Sequence, residues 1–480
     1  MIQGISYAAL SPVLIVALAG LALLLADAFE VPRRVLGTGA VAALAAALVA
    51  VFALVPGRPH VTFCVPASLR GAGPLPCSYI VDNFTLTFQG IVLASALVVV
   101  LMSLDSLDDV PMGEYLFLVF CAVVGVLTLV AARDLILLVV ALETLSLPVF
   151  ALVALKRYDG RATEAAIKLF LVSVISTAIL LFGISLVYGA TGTMHVGLIG
   201  PVAADLKPVM AAGIVMIVAG FGFKVAAVPF HFWAPDVYQG APLPVAAFLS
   251  VISKAGGFAG LAIVLALGFS SYGHVWGPLI AVLAAVTMTA GNLMALRQTH
   301  AIRLLAWSSV AQSGYMLAPL AVGSHHTTQA VAATVAYVAF YAIMNLGAFA
   351  VVTGFGPRVL VEDYRGLARV SPWHGAALAF FLLCLAGLPP GIMGLVAKIV
   401  VFEGVVTGGV TWLAVVMAIN TVIGLYYYLA WAVRLFQPAT GSVSLPQGLP
   451  FRSAVAVTAA GATVLSVEPQ LLLQATLSLG

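Results

Sequence analysis

Charge is what this chain has least of. Asp, Glu, Lys and Arg make up 8% of its 480 residues, against 63% apolar ones, where soluble chains carry about 25% charged residues. That balance excludes a soluble globular protein. Basic tracts are missing as well: the net charge is +3 with no Lys/Arg run, so no nucleic-acid partner is expected. Cysteine is scarce. Cys121 and Cys384 fall within apolar runs as inert packing residues, Cys64 and Cys77 share one polar loop, and no CxxC pair occurs. There is no GxGxxG fingerprint after a strand, no iron–sulfur run, no haem attachment motif and no P-loop. No metal, cofactor or ATP site is therefore expected on the chain, and the adjacent His325 and His326 lack further ligands for a metal.

Long hydrophobic runs are what it has. A bilayer span needs about 20 apolar residues, and fourteen candidates follow one another: 5–25, 36–55, 84–104, 115–132, 135–155, 163–188, 208–228, 245–267, 276–296, 301–322, 330–353, 373–401, 411–436 and 453–473. The first lacks a basic n-region and a small-residue cleavage site, so it reads as a retained helix and not a signal peptide. The fold class expected is an all-α polytopic membrane protein. It divides into an N-terminal three-helix segment (1–110), two five-helix sets (114–268 and 276–436) and a C-terminal helix (453–473). Loops on one side carry twelve Lys/Arg, among them Arg33, Arg157, Arg303, Arg358 and Arg434; the other side has only Arg58, Arg70, Arg133 and Lys207. The positive-inside rule then places both termini outside. Trp233, Trp307 and Trp373 are expected in the aromatic belt.

Four of the six lysines interrupt apolar runs: Lys168, Lys224, Lys254 and Lys398. A cation at the centre of a membrane helix costs roughly 2.5 kcal/mol or more, and such residues mark ion or proton pathways. Glu143, within LILLVVALETLSLPVF, is the matching anion, and Glu164 forms an i,i+4 pair with Lys168. Lysine releases its proton when moved into an apolar pocket, whereas arginine keeps it. No arginine lies centrally in a span, which favours titration over permanent pairing. Glu143 and Lys224 are expected to form a switchable pair, with Lys254 next and Lys398 nearest the exit. The structural alternative, static ion pairs fixing helix register, leaves several lysines without a carboxylate. It has more force for Lys168, and Glu403, near the end of its span, reads as solvated or interfacial. His231 and Asp236 fall in a Pro- and aromatic-rich turn, while His300 and His374 open helices and are weaker relay candidates. Two spans look broken, one by Pro229 after Lys224 and one by Gly387–Gly391 before Lys398. Such breaks survive in a membrane only inside protein or along a wet cavity, and at matching places they mark inverted repeats.

The segments ALETLSLPVFALVAL (141–155), EAAIKLFLVSVISTAILLFGISLVYGATGT (164–193) and FKVAAVPFHFWAPDVYQGAPLPVAAFLSVISKAGGFA (223–259) closely resemble subunit N of bacterial NADH–quinone oxidoreductase, respiratory complex I. RLLAWSSVAQSGYML (303–317) is similar to another element of that family, and the likeness covers roughly residues 84–436. The resemblance implies an antiporter-like fold of about fourteen helices, with two inverted five-helix repeats and discontinuous helices 7 and 12. It implies a proton relay through Glu143, Lys224, Lys254 and Lys398, with Glu164 and Lys168 as secondary charges. It also implies membrane partners of the K, M, L, A, J and H types and a peripheral arm. NADH, FMN, iron–sulfur clusters and quinone would belong to other subunits, and the site of action would be the bacterial cytoplasmic membrane. GLPPGIMGLVAK (387–398) is one residue longer before its lysine than the family pattern. Where the family often has a histidine before its Gly-Tyr, this chain has Gln312 or Ser313, which leaves water or His300 as substitutes. Sister subunits and the Mrp-type cation/proton antiporter share the charge pattern, so the Mrp reading remains the alternative. Finally, Cys64 and Cys77, separated by twelve residues on the oxidising side, are expected to form a disulfide.

Overall fold

In the computed structural model, residues 4–477 are described except 56–58, 67–75, 108–109, 157–158, 325, 356–358 and 439–447. Arg58, Arg70, Arg157, Arg358 and His325 lie outside the described residues. The chain opens with α1 (Tyr7–Ala28) and α2 (Arg33–Leu54). A short antiparallel hairpin of β1 (His60–Cys64) and β2 (Cys77–Val81) follows, a small β element that the all-α expectation missed. Then come α3 (Asn83–Leu104), α4 (Met112–Leu129), α5 (Leu135–Val153) and α6 (Gly160–Thr191). Ser6, Asp82, Asp134 and Asp159 cap α1, α3, α5 and α6 by accepting a backbone N–H in the first turn. Each satisfies one of the donors that a helix start leaves over.

The next crossing is interrupted: α7 (Lys207–Lys224) stops at its lysine, and the chain resumes as the short α8 (Trp233–Gly240). α9 (Leu243–Phe248) passes through a π-helical turn into α10 (Lys254–Ile263). α11 (Gly273–Leu296), α12 (Ala301–Leu317) and α13 (Thr327–Gly354) follow, and α14 (Leu367–Val370) is a one-turn connector. A second interrupted crossing is made of α15 (Pro372–Ala386) and α16 (Ile392–Thr407), before α17 (Thr411–Phe436), α18 (Leu449–Val467) and α19 (Gln470–Leu477). Twelve helical runs are long and apolar enough to cross a bilayer among the described residues. α12 with its 3₁₀ extension Ala318–Val322, and the α15–α16 pair, supply the two further crossings of the fourteen expected.

The run from α9 through α10 is wholly buried and α13 nearly so, whereas α1 and α2 bury only a third of their length or less. The α9–α10 run and α13 form the centre of the bundle; the first carries Lys254 and the second Tyr337 and Tyr341. The connections fall at two ends. At one end Arg33 donates to Leu107 O, Phe451 N to Asp105, and Arg303 and Lys168 both to Asp236. At the other, Arg133 N donates to Ser78 O, Leu135 N to Met194 O, and Ser6 N to Thr62 Oγ1. α7 runs away from the hairpin end and α15–α16 runs toward it, so the two broken crossings traverse the bundle in opposite senses.

At the hairpin end Arg133 bridges to Asp82 at 2.7 Å. Burial pushes the Asp82 carboxyl up, but the Arg133 guanidinium and the Thr85 donors outweigh it and hold the group below the usual carboxylate range. The strand register sets Cys64 opposite Cys77, and the two are joined in a disulfide. Peptide mapping of the unreduced protein is expected to give one Cys64–Cys77 cross-linked peptide that disappears on reduction. Loss of the bridge in Cys64→Ser should cost roughly 3 kcal/mol on the chain-entropy model, read as a lower unfolding midpoint in detergent. Free thiols at both positions in the unreduced protein would refute the pairing.

Candidate functional site

Three of the lysines lie inside the bundle. Lys224, Lys254 and Lys398 are 6%, 1% and 7% exposed. Lys168, which also interrupts an apolar run, is 44% exposed and makes the expected i,i+4 ion pair with Glu164 at 2.7 Å, together with one to Asp236 at 2.9 Å. Asp236 also takes Arg303 at 2.8 Å, and Arg303 donates in turn to Gln239. The cluster ties α6, α8 and α12 together at the end where basic residues concentrate. Asp236 is its hub, and the sequence offered only its place in a turn.

Lys224 is the last residue of α7, where the helix leaves its final carbonyls without intrahelical donors. Val225, Ala226 and Ala227 N–H groups take Phe221, Phe223 and Gly222 O, and Trp233 Nε1 donates to Phe223 O at 3.1 Å. The Lys224 ammonium reaches across to α5 and donates to Ser146 Oγ at 2.6 Å. Glu143 lies one turn from Ser146 on the same helix, but it makes no direct ion pair with Lys224. Its carboxylate instead accepts from Thr177 Oγ1 at 2.7 Å on α6, and it is only partly buried. Ser146 Oγ in turn donates to Leu142 O at 2.5 Å, so the two charges neither touch nor share a hydrogen-bonded bridge through that serine. Gly257 lets α10 close on this point, since a Cβ there would meet Lys224 Cβ at 3.0 Å.

A cavity of about 10 Å³, room for one water centre, is lined by Ser146, Lys224, Trp233 and Ser253 among others. It leads from Lys224 to the residue before Lys254. Lys254 donates to Ser309 O at 2.5 Å and to Ser309 Oγ at 2.6 Å, beside the ring of Tyr341. Tyr341 OH also donates to Ser309 Oγ, at 2.7 Å. One residue earlier, Ser308 Oγ meets Tyr428 OH at 2.5 Å, and Gln312 Nε2 donates to the same tyrosine at 3.2 Å. Tyr337 OH donates to Gln312 Oε1 at 2.5 Å, and its ring stacks on Tyr315 with centroids 6.2 Å apart. Lys398 Nζ lies 5.8 Å from that Tyr315 ring. Two hydrogen-bonded groups, Ser309 with Tyr341 and Ser308 with Tyr428, Gln312 and Tyr337, thus lie between Lys254 and the Tyr315 ring beside Lys398.

Lys398 itself donates to Ala386 O, the last carbonyl of α15, at 2.6 Å. The longer spacing before this lysine does not turn it out of the bundle. Gly387 takes φ +80°, the left-handed conformation that glycine adopts after a helix end. It donates to Leu383 and Cys384 O, and a Cβ on it would meet the Lys398 side chain at 3.2 Å. On its other side Lys398 opens to a cleft of about 500 Å³ shared with Glu403, Phe402 and Thr421.

The weaker histidine candidates stand apart. His300 is the N-cap of α12, nine residues and about 14 Å of helix rise short of Ser309. His374 Nδ1 bonds Ser371 at 2.7 Å and its ring stacks on Phe451. Trp233 and Trp307 are buried, the latter against His231, so only Trp373, 62% exposed, has a belt-like position. Ser146, Ser309, Tyr337, Tyr341 and Tyr428 were not singled out from sequence. Their one signal was the tyrosines themselves, in AYVAFYAIMN (336–345) and LYYYLAW (425–431).

Residues 132–424 match the family model described as NADH:quinone oxidoreductase/Mrp antiporter, TM. A relative from Streptomyces griseus subsp. griseus, "NADH-quinone oxidoreductase subunit N 2", is 48% identical over 98% of this chain and 93% of its own length. Among solved structures, a chain of respiratory complex I from Thermus thermophilus with bound Aureothin is 33% identical. It superposes with a TM-score of 0.80, covering 96% of this chain and 98% of that one. A chain of the Mrp complex from Dietzia sp. DQ12-45-1b has a TM-score of 0.85 over 99% of this chain and 97% of that one, at 22% identity, which is a likeness of fold. On the family match over more than half of its length and the 48% identity along nearly all of it, this chain belongs to the subunit N family of bacterial NADH–quinone oxidoreductases, within the antiporter-like membrane subunits.

Proposed function

We propose that this chain is a proton-translocating membrane subunit of a complex I-type NADH:quinone oxidoreductase, moving protons along Glu143, Lys224, Lys254 and Lys398. Quinone reduction elsewhere in the complex supplies the energy, and NADH, FMN, iron–sulfur clusters and quinone are held by other subunits. The observation that carries the reading is the buried line of three lysines, each bound to neutral oxygens and none to a carboxylate. Static ion pairing predicts the reverse. A lysine held by a serine hydroxyl or a carbonyl can give up its proton and stay hydrogen-bonded as an amine, which a permanent register device does not require. Glu164 and Lys168, in the exposed cluster with Asp236, are assigned a secondary role near the entrance. The 48% identity to a subunit N, against 22% to an Mrp chain, favours this reading over a cation/proton antiporter.

Glu143 also supports an assembled state. It falls on one stripe of α5 with Ile136, Val140 and Leu147, exposed by 58%, 56% and 60%. A carboxylate on such a face meets hydrocarbon unless a neighbouring subunit covers it. Partners of the K, M, L, A, J and H types and a peripheral arm complete the complex in this proposal. The cytoplasmic membrane is the location, with the hairpin end and both termini outside. The five-helix sets 114–268 and 276–436 are taken as inverted repeats, with Lys224 and Lys398 at their breaks.

In vesicles carrying the whole complex, Lys224→Ala and Glu143→Ala are each expected to lower proton translocation by tenfold or more, on the scale of a lost proton-transfer group, while the complex still assembles. Normal translocation by both variants would sink the relay. At Lys398 the informative change is to arginine. Arginine also donates to Ala386 O but keeps its proton, so Lys398→Arg should be nearly as defective as Lys398→Ala. Full translocation by the arginine variant would make Lys398 a structural cap of α15.

A further inference from the structure

The hairpin end is poor in positive charge, and one of its cations stands without a carboxylate. Of the four Lys/Arg residues assigned to that side, Arg58 and Arg70 lie outside the described residues and Arg133 is neutralised by Asp82. Lys207, the first residue of α7, makes no ion pair among the described residues, not even with Asp205 two positions earlier. It lines a cavity of about 430 Å³ beside the starts of α7 and α11, within the range of about 300–1,000 Å³ that small-molecule sites occupy. Ser271 and His274 line the same cavity, and Asp205 does not. An ammonium, a hydroxyl and an imidazole together supply hydrogen-bond donors and no carboxylate, a set that suits a phosphate group.

The walls are held in place by their own hydrogen bonds. Tyr272 OH donates to Gly200 O at 3.1 Å and accepts from Val202 N–H at 3.0 Å, which clasps the loop before α7 to the start of α11. Ser324 Oγ donates to Ser270 O and accepts from Gly273 N–H, and Trp276 Nε1 donates to Phe269 O at 2.8 Å. Neither helix start is capped by a side chain, so the positive ends of both dipoles add to the field of Lys207. The rest of the lining is apolar and includes Ala211 on α7 and Val275 on α11, two helices that pack on each other. One turn beyond Ala211 comes Val215, and two and three turns beyond Val275 come Val282 and Val286. All three are exposed and continue the faces that line the cavity. A polar pocket at the end of the bundle thus runs into an apolar groove toward membrane depth. A free phosphate would use only the pocket, whereas a phospholipid uses both.

We propose that this cavity holds the headgroup of an anionic phospholipid, with its phosphate on Lys207, Ser271 and His274 and its acyl chains along α7 and α11 past Val215, Val282 and Val286. In the orientation proposed above the lipid belongs to the outer leaflet; the site itself does not depend on the proton route. For the test, the whole complex is reconstituted in phosphatidylcholine vesicles with a small fraction of phosphatidylglycerol that carries a diazirine in its acyl chain. Labelled peptides of this chain are mapped after illumination. Labelling is expected on α7 and α11 around Val215, Val282 and Val286. At limiting lipid it should fall roughly tenfold in Lys207→Ala, the scale of one charge-assisted hydrogen bond, and be kept in Lys207→Arg. Phosphatidylcholine carrying the same diazirine should label these positions more weakly and without response to Lys207→Ala. Equal labelling by the two lipids, or labelling by phosphatidylglycerol that Lys207→Ala leaves unchanged, overturns the proposal. So does the absence of label from both helices, whether a neighbouring subunit covers the groove or the cavity takes only the free ion. A rise in unfolding midpoint with inorganic phosphate that Lys207→Ala abolishes identifies the second of these. Should Lys207→Ala not assemble, His274→Ala takes its place, with a loss of phosphatidylglycerol labelling supporting the site and unchanged labelling overturning it.

Discussion

A helix that stops inside an apolar bundle leaves carbonyl oxygens with no donors, and a lysine inside the same bundle has donors with no water. Each problem is the other's solution, and the interior of this protein is arranged around that exchange. At the end of α15 the exposed carbonyls are shared among Gly387, Leu388, Gln312 and Lys398. At the end of α7 backbone N–H groups and Trp233 take the carbonyls, which frees the Lys224 ammonium to reach Ser146 on α5. Breaks of this kind are tolerated at membrane depth only where protein re-satisfies the backbone, and here the re-satisfying groups include those assigned to proton transfer.

Lys254 meets the same need on an unbroken crossing. Its acceptors are the carbonyl and hydroxyl of Ser309, and that carbonyl also accepts from Ser313 Oγ. The π-helical turn over Leu249–Ser253 ends immediately before the lysine and widens the helix there. None of the three buried ammonium groups makes a direct ion pair with a carboxylate among the described residues. Those that pair lie at the ends of the bundle, on Arg133, Lys168, Arg303, Arg365 and Arg434. Permanent ion pairs thus hold the loops, and neutral oxygens hold the lysines.

The tyrosines give the second half of the proposed route its character. Tyr315, Tyr337, Tyr341 and Tyr428 come from three helices, and each is at most 2% exposed. Each ring fills core volume while its hydroxyl is aimed at a polar partner, which is the usual bargain for a buried tyrosine. Between Lys224 and Lys254 there is instead a cavity the size of one water beside Ser253. The surroundings of the lysines thus differ, with room for one water beside Lys224 and fixed hydroxyls with an amide beyond Lys254.

Composition and periodicity alone determined the membrane class, the crossings and their grouping at two ends, because a bilayer demands about 20 apolar residues per helix and tolerates few charges. The same economy made Lys224, Lys254, Lys398 and Glu143 visible, since a charge in an apolar run stands out against everything around it. Proline and glycine announced both breaks. The Glu164–Lys168 pair was legible from its i,i+4 spacing, but its third member was not, because Asp236 is 68 residues away. The serine and tyrosine partners were illegible for the same reason: their roles depend on contacts between helices far apart in the chain, such as Gln312 with Tyr428, 116 residues on. Polar side chains of that size are common in membrane helices, and only packing aims them at one another. The sequence by itself determined where the charges are; the tertiary structure decided which oxygens they meet, because a hydrogen bond needs about 3 Å and a direction, and neither is written along a single helix.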